Sequence, residues 1–368
     1  MAETVRPGDD DELQDLIHRA AQILVDGGVV GIATEATYLP VALATSEAGI
    51  ERLPAGSGSV LLAQSVAEAL DVVPGLPRIG LKFARRCWPG PLIMGVPARN
   101  ARLGIVDGLP GAAQAFLITE RLRLTVSSEP YLNRLMRLIS APLVAALLET
   151  TLADSAEIAA WLPQLDLIVD SGPVKYAEGP TVVALEPDRW LLEREGVVHN
   201  SSLKRQAAEV ILFVCTGNTC RSPMAEGLFK QMLAQKLHCT VDDLPERGFV
   251  VSSAGLAAGY GAEASPETLE LLQQRGIDLS GHESQPLTER LLNHADFIYT
   301  MTRGHRSAIL AERPDMTDRV EVLKRDGTDV PDPIGGGMED YSRCQQAIEK
   351  QLDVILADLP LPATPSNG

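Results

Sequence analysis

The feature that most restricts the fold of this 368-residue chain is a run of five apolar residues, Val210 to Val214, that ends on Cys215-Thr216-Gly217-Asn218-Thr219-Cys220-Arg221-Ser222-Pro223. A short unbroken apolar run reads as a buried parallel strand. Beyond the loop, Ala225, Leu228, Phe229, Met232 and Leu233 recur at the spacing of one helix face. The order is strand, loop, helix. A loop that feeds a helix N-terminus points several unsatisfied backbone N–H groups at one spot, and the helix dipole adds partial positive charge there. Gly217 and Asn218 are residue types that take left-handed backbone readily, which suits a loop curled around an anion. Ser222 followed by Pro223 reads as an N-cap and a first helical residue.

The loop carries its own chemistry. A cysteine at the mouth of such an anion nest is expected to favour the thiolate, the attacking form, so Cys215 is the candidate nucleophile. Arg221 returns to the same place with a planar fork that grips two phosphate oxygens. A bare Cys-x5-Arg spacing arises by chance and a cysteine is often only a small buried residue. Here the strand before, the Gly-Asn within and the Ser-Pro after all agree.

On these residues the C-terminal part resembles the low-molecular-weight protein-tyrosine-phosphatases. Cys215, Arg221 and Ser222 match the family's Cys-x5-Arg-Ser signature, and Asn218 its loop asparagine. Asp332-Pro333, ahead of a helical segment from Glu339 to Leu356, matches the family's Asp-Pro acid. Asp326 and Asp329 lack the following proline. Val251 to Gly255 is similar to the segment whose serine supports the loop asparagine, which assigns that role to Ser253. The likeness runs from about Val210 to Asp358.

The resemblance implies a mechanism. Cys215 attacks phosphorus, Arg221 and the loop from Thr216 through Gly217, Asn218, Thr219 and Cys220 to Ser222 hold the phosphoryl oxygens, and Asp332 protonates the leaving group. A thiophosphate forms on Cys215, and Asp332 then serves as base for the water that releases phosphate. Ser222 is expected to donate a hydrogen bond to the sulfur. The scheme calls for no metal and no cofactor.

Substrate choice departs from the tyrosine-specific pattern. Ile334-Gly335-Gly336-Gly337 stands where aromatic residues usually follow the Asp-Pro, and Thr219 stands where a larger aliphatic residue is usual. The loop resembles that of bacterial protein-arginine phosphatases, in which that threonine helps to select phosphoarginine. Phosphoarginine is favoured slightly, phosphotyrosine stands close behind, and Tyr260 is a candidate aromatic wall. Arsenate reduction would need a close downstream cysteine pair, which Cys87, Cys220, Cys239 and Cys344 do not form. Cys220 is either a buried thiol or the partner of a reversible disulfide with Cys215.

The remainder of the C-terminal half alternates strands (Phe249 to Ser253, Phe297 to Thr300, Val320 to Leu323) with helices, one of them from Pro266 to Arg275 between Ser265 and Gly276. That order implies a doubly wound, four-stranded parallel sheet with its site beyond the carboxyl ends of the strands.

The first half is also α/β. A helix from Leu13 to Val25 buries Leu13, Leu16, Ile17, Ala20 and Leu24, and Asp26-Gly27-Gly28 separates it from a strand at Val29 to Ala33. Ala33 to Tyr38, Trp88-Pro89-Gly90-Pro91-Leu92, Asp170-Ser171-Gly172, Pro180 to Val183 and Arg194-Glu195-Gly196 resemble segments of the YrdC-like threonylcarbamoyl-adenylate synthase domain, a twisted α/β sheet. The family's basic motif is replaced by Glu51 to Gly58, with one arginine, and its Ser-Ala-Asn segment by Leu147-Leu148-Glu149-Thr150. A cleft short of cations holds nucleotide phosphates poorly, so the domain is expected to be degenerate. The alternative is a bifunctional protein that makes threonylcarbamoyl-adenylate for tRNA modification.

The domains are placed at 1–200 and 207–358, with a linker near His199 to Arg205 and a flexible tail over 359–368. A hydrophobic fraction of 45% suffices for two cores. A net charge of −17 argues against nonspecific nucleic-acid or anionic-membrane binding. No apolar run is long enough to span a bilayer. Five cysteines without a framework spacing fit a reducing cytoplasm, and the six scattered histidines, His282 among them, read as structural. The partners expected are phosphorylated proteins.

Overall fold

Helix Asp10–Val25 buries the face expected of it, Leu13, Leu16, Ile17, Ala20 and Leu24. It begins three residues before the apolar pattern does, because the Asp9 carboxylate accepts the Glu12 N–H and caps it. The computed structural model describes residues 2–54, 58–97, 108–117, 121–187, 189–360 and 364–365. The chain divides into two units, one up to Gln206 that also takes in the C-terminal strand, the other Ala207–Pro362.

In the first unit the described residues form one eleven-stranded mixed sheet. Its order is Glu3–Val5, Leu167–Val169, Val30–Ala33, Tyr38–Leu43, Leu143–Leu147, Gly58–Leu62, Arg121–Thr125, Leu92–Pro97, Thr181–Leu185, Arg189–Arg194 and Thr364–Pro365. Strands such as Val30–Ala33, Tyr38–Leu43 and Thr181–Leu185 are buried at every residue, so both of their faces are covered. The segment expected as a linker is helical, Asn200–Ala207, and the Glu195 carboxylate accepts its first N–H (2.8 Å). Of the tail, Thr364–Pro365 pairs with Arg189–Arg194, while residues 361–363 and 366–368 lie outside the described residues.

The second unit is a four-stranded parallel sheet, in the order Phe249–Gly255, Glu209–Cys215, Phe297–Thr300, Val320–Val322. The central strand divides its side chains between two cores, as a period of two requires. Ile211, Phe213 and Cys215 join Met224, Leu228, Phe229 and the last helix, Met338–Asp358. Leu212 and Val214 join Ile298, Ile309, Met316 and Val320 on the opposite face. Phe213 is fully buried and packs edge-on to Phe229 and stacked on Tyr299, worth about 2–3 kcal/mol of burial for that side chain. Cys215 is the last residue of a strand locked on both sides, which fixes the start of the loop.

Helix Arg221–Lys236 starts earlier than Ser222-Pro223 suggests. Its N-cap is Cys220, with no side-chain cap, and Ser222 lies inside the first turn. The Ser222 hydroxyl is instead committed to the loop interior, to Asn218 Nδ2 and the Cys215 sulfur.

Candidate active site

The loop between Cys215 and Arg221 is held by its carbonyl groups. Those of Cys215 and Thr216 accept the Leu256 and Ala257 N–H groups (both 2.9 Å), and that of Thr219 accepts Ser265 N–H (2.8 Å). The Asn218 carbonyl bonds His282 Nε2 (2.8 Å). With four of its carbonyls engaged by neighbouring segments, the loop turns the Asn218 N–H to the Cys215 sulfur (3.2 Å). This is the arrangement an anion nest needs.

Asn218 is the keystone. It has a φ of 56°, in the left-handed region that asparagine tolerates. Its Nδ2 donates both hydrogens, to Ser222 Oγ (2.9 Å) and Ser253 Oγ (2.8 Å), while Oδ1 accepts the Gln285 N–H (2.9 Å). Ser253 in turn donates to Glu226 Oε2 (2.6 Å), and Lys230 holds the other Glu226 oxygen (2.5 Å). Since Ser222 Oγ receives a hydrogen from Asn218, its own is available to the Cys215 sulfur at 3.0 Å, closer than the Ala254 carbonyl at 3.4 Å. A donor at that distance stabilises a thiolate.

Arg221 is 5% exposed. Its Nη2 meets Asp332 Oδ2 at 2.5 Å, and longer contacts reach Thr216 Oγ1 and the Val330 carbonyl, both at 3.5 Å. Asp332 is more open, with a side chain 43% exposed, and its Oδ1 accepts the Ile334 N–H (3.2 Å). Cys215, Arg221 and Asp332, the candidate nucleophile, cation and acid, drawn from the first strand, the first helix and the loop before the last helix, thus share one end of the sheet. Asp329 pairs with Arg303 and Asp326 accepts from Thr328, so neither competes for the acid position.

Several participants carry no sequence signal on their own. Gly255 is one. A Cβ there would lie 2.5 Å from the Thr216 carbonyl oxygen and 2.9 Å from the Asn218 nitrogen, so only glycine lets the second strand run this close to the loop. Glu226 lies four residues after Ser222 on the same helix face, a spacing that marks it in retrospect. His282, Gln285 and His305 come from distant segments. Cys220 Sγ lies 3.3 Å from the Tyr341 hydroxyl, and burial together with that contact pushes the Tyr341 phenol up to about 12. Burial likewise pushes the Cys344 thiol up to about 12. Tyr260 is 77% exposed. It lines a cavity of about 510 Å³ with Glu226, Lys230, Ser253 and His282.

The family model described as low molecular weight phosphotyrosine protein phosphatase matches residues 210–361. The protein-arginine-phosphatase of Bacillus subtilis (strain 168) is 40% identical over 153 residues, 40% of this chain and 95% of that protein.

The chain belongs to the low molecular weight phosphotyrosine protein phosphatase family.

The protein-arginine-phosphatase of Geobacillus stearothermophilus is 37% identical to the phosphatase unit, over 40% of this chain and 95% of its own. A probable low molecular weight protein-tyrosine-phosphatase, EpsP of Ralstonia solanacearum, is 36% identical over 39% of this chain and 92% of its own. The first unit has a family of its own: the YrdC-type model, described as telomere recombination, matches residues 22–196. In that unit the one arginine of the Glu51 to Gly58 segment, Arg52, is paired with both Asp166 oxygens (2.7 and 3.0 Å); residues 55–57 lie outside the described residues. The Glu35 carboxylate, 6% exposed as a residue, accepts from Ser127 Oγ (2.5 Å) and Ser128 N–H (3.1 Å). Among the described residues no cluster of His, Cys, Asp and Glu is disposed to hold a metal ion, and no helix is long and apolar enough to cross a membrane.

Proposed function

We propose that the second unit hydrolyses phosphorylated protein side chains through a Cys215 thiophosphate, with phosphoarginine slightly favoured over phosphotyrosine as substrate. The observation that carries the reading is the single constellation of Cys215, Ser222, Arg221 and Asp332 around a loop whose Asn218 N–H donates to the Cys215 sulfur. The sulfur attacks phosphorus in line, forming S–P as the bond to the leaving nitrogen or oxygen breaks. Loop amides and Arg221 hold the three equatorial oxygens. Asp332 gives its proton to the leaving group, which requires the phosphoryl group to draw Arg221 away from the Asp332 carboxylate. Water then attacks phosphorus, its proton passes to Asp332, S–P breaks, and the Ser222 hydroxyl steadies the departing thiolate.

What supports phosphoarginine is Thr219 in the loop, the exposed Ile334 and three glycines in place of aromatic residues after Asp332, and the names of the two arginine-phosphatase relatives. Rates on phosphoarginine and phosphotyrosine peptides test it. Cys215→Ser is expected to be inactive on both, since a serine hydroxyl without an adjacent base is a poor nucleophile. Thr219→Ile is expected to move the ratio towards phosphotyrosine, and an unchanged ratio would remove Thr219 as a selector.

The first unit is read as a YrdC-like domain without synthase activity. The pairing of Arg52 with Asp166 supports this, because the segment's only arginine is committed to a protein carboxylate. ATP-dependent product from threonine and labelled bicarbonate would overturn it and establish the bifunctional alternative.

A further inference from the structure

His305 is buried beside the phosphate loop, yet the mechanism above does not use it. It lies in the first turn of helix Arg303–Glu312 and is 8% exposed. Its Nε2 is 2.9 Å from the hydroxyl of Thr216, the residue that directly follows the nucleophile. Its Nδ1 is buried with no hydrogen-bond partner among the described residues. The same Thr216 Oγ1 receives Arg221 Nη2 at 3.5 Å. An unbroken line therefore joins His305, Thr216, Arg221 and Asp332.

The hydroxyl has two lone pairs and one hydrogen. Arg221 only donates, so it takes a lone pair. The imidazole either accepts the hydrogen at Nε2, which puts its proton on the unpartnered Nδ1, or donates Nε2–H to the second lone pair, and only the second arrangement gives a neutral ring with no buried, unpaired N–H. A protonated ring would carry an unpaired, buried Nδ1–H beside the Arg221 cation. The charged groups facing it are Arg221 from the helix behind the loop and Asp332 and Asp329 from the acid loop. On its own helix, Arg303 is paired with Asp329, and Arg306 donates to the Val320 carbonyl. Burial and Arg221 outweigh the two carboxylates and hold the imidazole below its ordinary pKa.

We propose that neutral His305 is a positioning residue of the phosphatase, holding the Thr216 hydroxyl so that the first turn of the loop and the guanidinium of Arg221 are set for the incoming phosphoryl group. The proposal rests on the phosphate-cradle reading above. It assigns His305 no contact with substrate. Its consequence is that loss of the hydrogen bond weakens phosphate binding and turnover together, while the nucleophile itself stays intact.

The test is turnover of p-nitrophenyl phosphate, with competitive inhibition by inorganic phosphate, from pH 5 to 8. The proteins are the full chain, His305→Ala, His305→Gln, Thr216→Val and the double variant Thr216→Val/His305→Ala. Removing one hydrogen bond to a site that holds charge is expected to weaken phosphate inhibition and kcat/KM by about tenfold in His305→Ala. His305→Gln, whose amide reaches Thr216 without titrating, is expected to stay within about threefold of the parent at pH 7 and to flatten the acid limb of the profile. The double variant is expected to be no worse than the poorer single one, because both remove the same bond. Additive losses, or His305→Ala with unchanged phosphate inhibition, overturn the proposal. Should His305→Ala fail to fold, unchanged phosphate inhibition in Thr216→Val overturns it equally. A parent without turnover contradicts the catalytic reading instead, and phosphate binding by calorimetry then decides the role of His305.

Discussion

Asn218→Ala is the substitution that most directly probes how the loop is held. The side chain makes three hydrogen bonds inside a fully buried site, to Ser222, to Ser253 and from the Gln285 N–H. Alanine removes all three and leaves the Gln285 N–H and two serine oxygens short of a partner. At about 1 kcal/mol per bond this is about 3 kcal/mol. A left-handed φ of 56° costs alanine more than asparagine, adding about 1 kcal/mol. The sum of about 4 kcal/mol divides between global stability and local order, because the loop can loosen without the unit unfolding. Urea unfolding of the full chain reads the first share, and kcat/KM on p-nitrophenyl phosphate reads the second. If half falls on the loop, kcat/KM drops about thirtyfold, since each 1.36 kcal/mol is tenfold. Asn218→Asp should be slower still, because a carboxylate would face the anion site and Ser222 would lose its donor. Stability and kcat/KM both within a factor of two of the parent would refute the claim that Asn218 holds the loop.

Three further outcomes follow from the same geometry. Gly255→Ala would press a methyl group against the Thr216 carbonyl and is expected to cost about 1–3 kcal/mol in urea unfolding, with a loss of activity; a neutral effect would mean that the strand end and loop separate easily. Asp332→Asn should lower kcat by about a hundredfold or more, most for poor leaving groups, and a leaving-group dependence like that of the parent would remove Asp332 as the acid. For His305 the folded-state pKa lies below the unfolded value near 6.5, so its contribution to stability is present above that value and is lost as the pH falls through the folded pKa. The urea midpoint of the parent should therefore decline more steeply than that of His305→Gln below about pH 6.5, and parallel curves would contradict it.

Much of the fold was legible because it rests on short-range patterns. The apolar run before Cys215, the spacing of Leu228, Phe229 and Leu233, and the Ser265 cap each determine a local element without reference to distant residues. The helix start at Cys220 was not legible. Ser222 and Pro223 have the right propensities for a helix start, but the hydroxyl of Ser222 is used by Asn218 and the Cys215 sulfur, a demand that only the assembled loop creates.

Sequence alone supplied the chemical groups of the candidate site: a thiol and a fork of guanidinium donors on one strand-loop-helix turn, with the later Asp-Pro carboxylate added by the family resemblance. Tertiary structure decided what surrounds them. Arg221 and Asp332 are 111 residues apart in sequence, His305 and Thr216 are 89 apart, and Gln285 and Asn218 are 67 apart. They meet because parallel strands carry all their following loops to one end of the sheet. No local propensity records which of those loops will touch, since that follows from strand order and from the close approach that Gly255 permits.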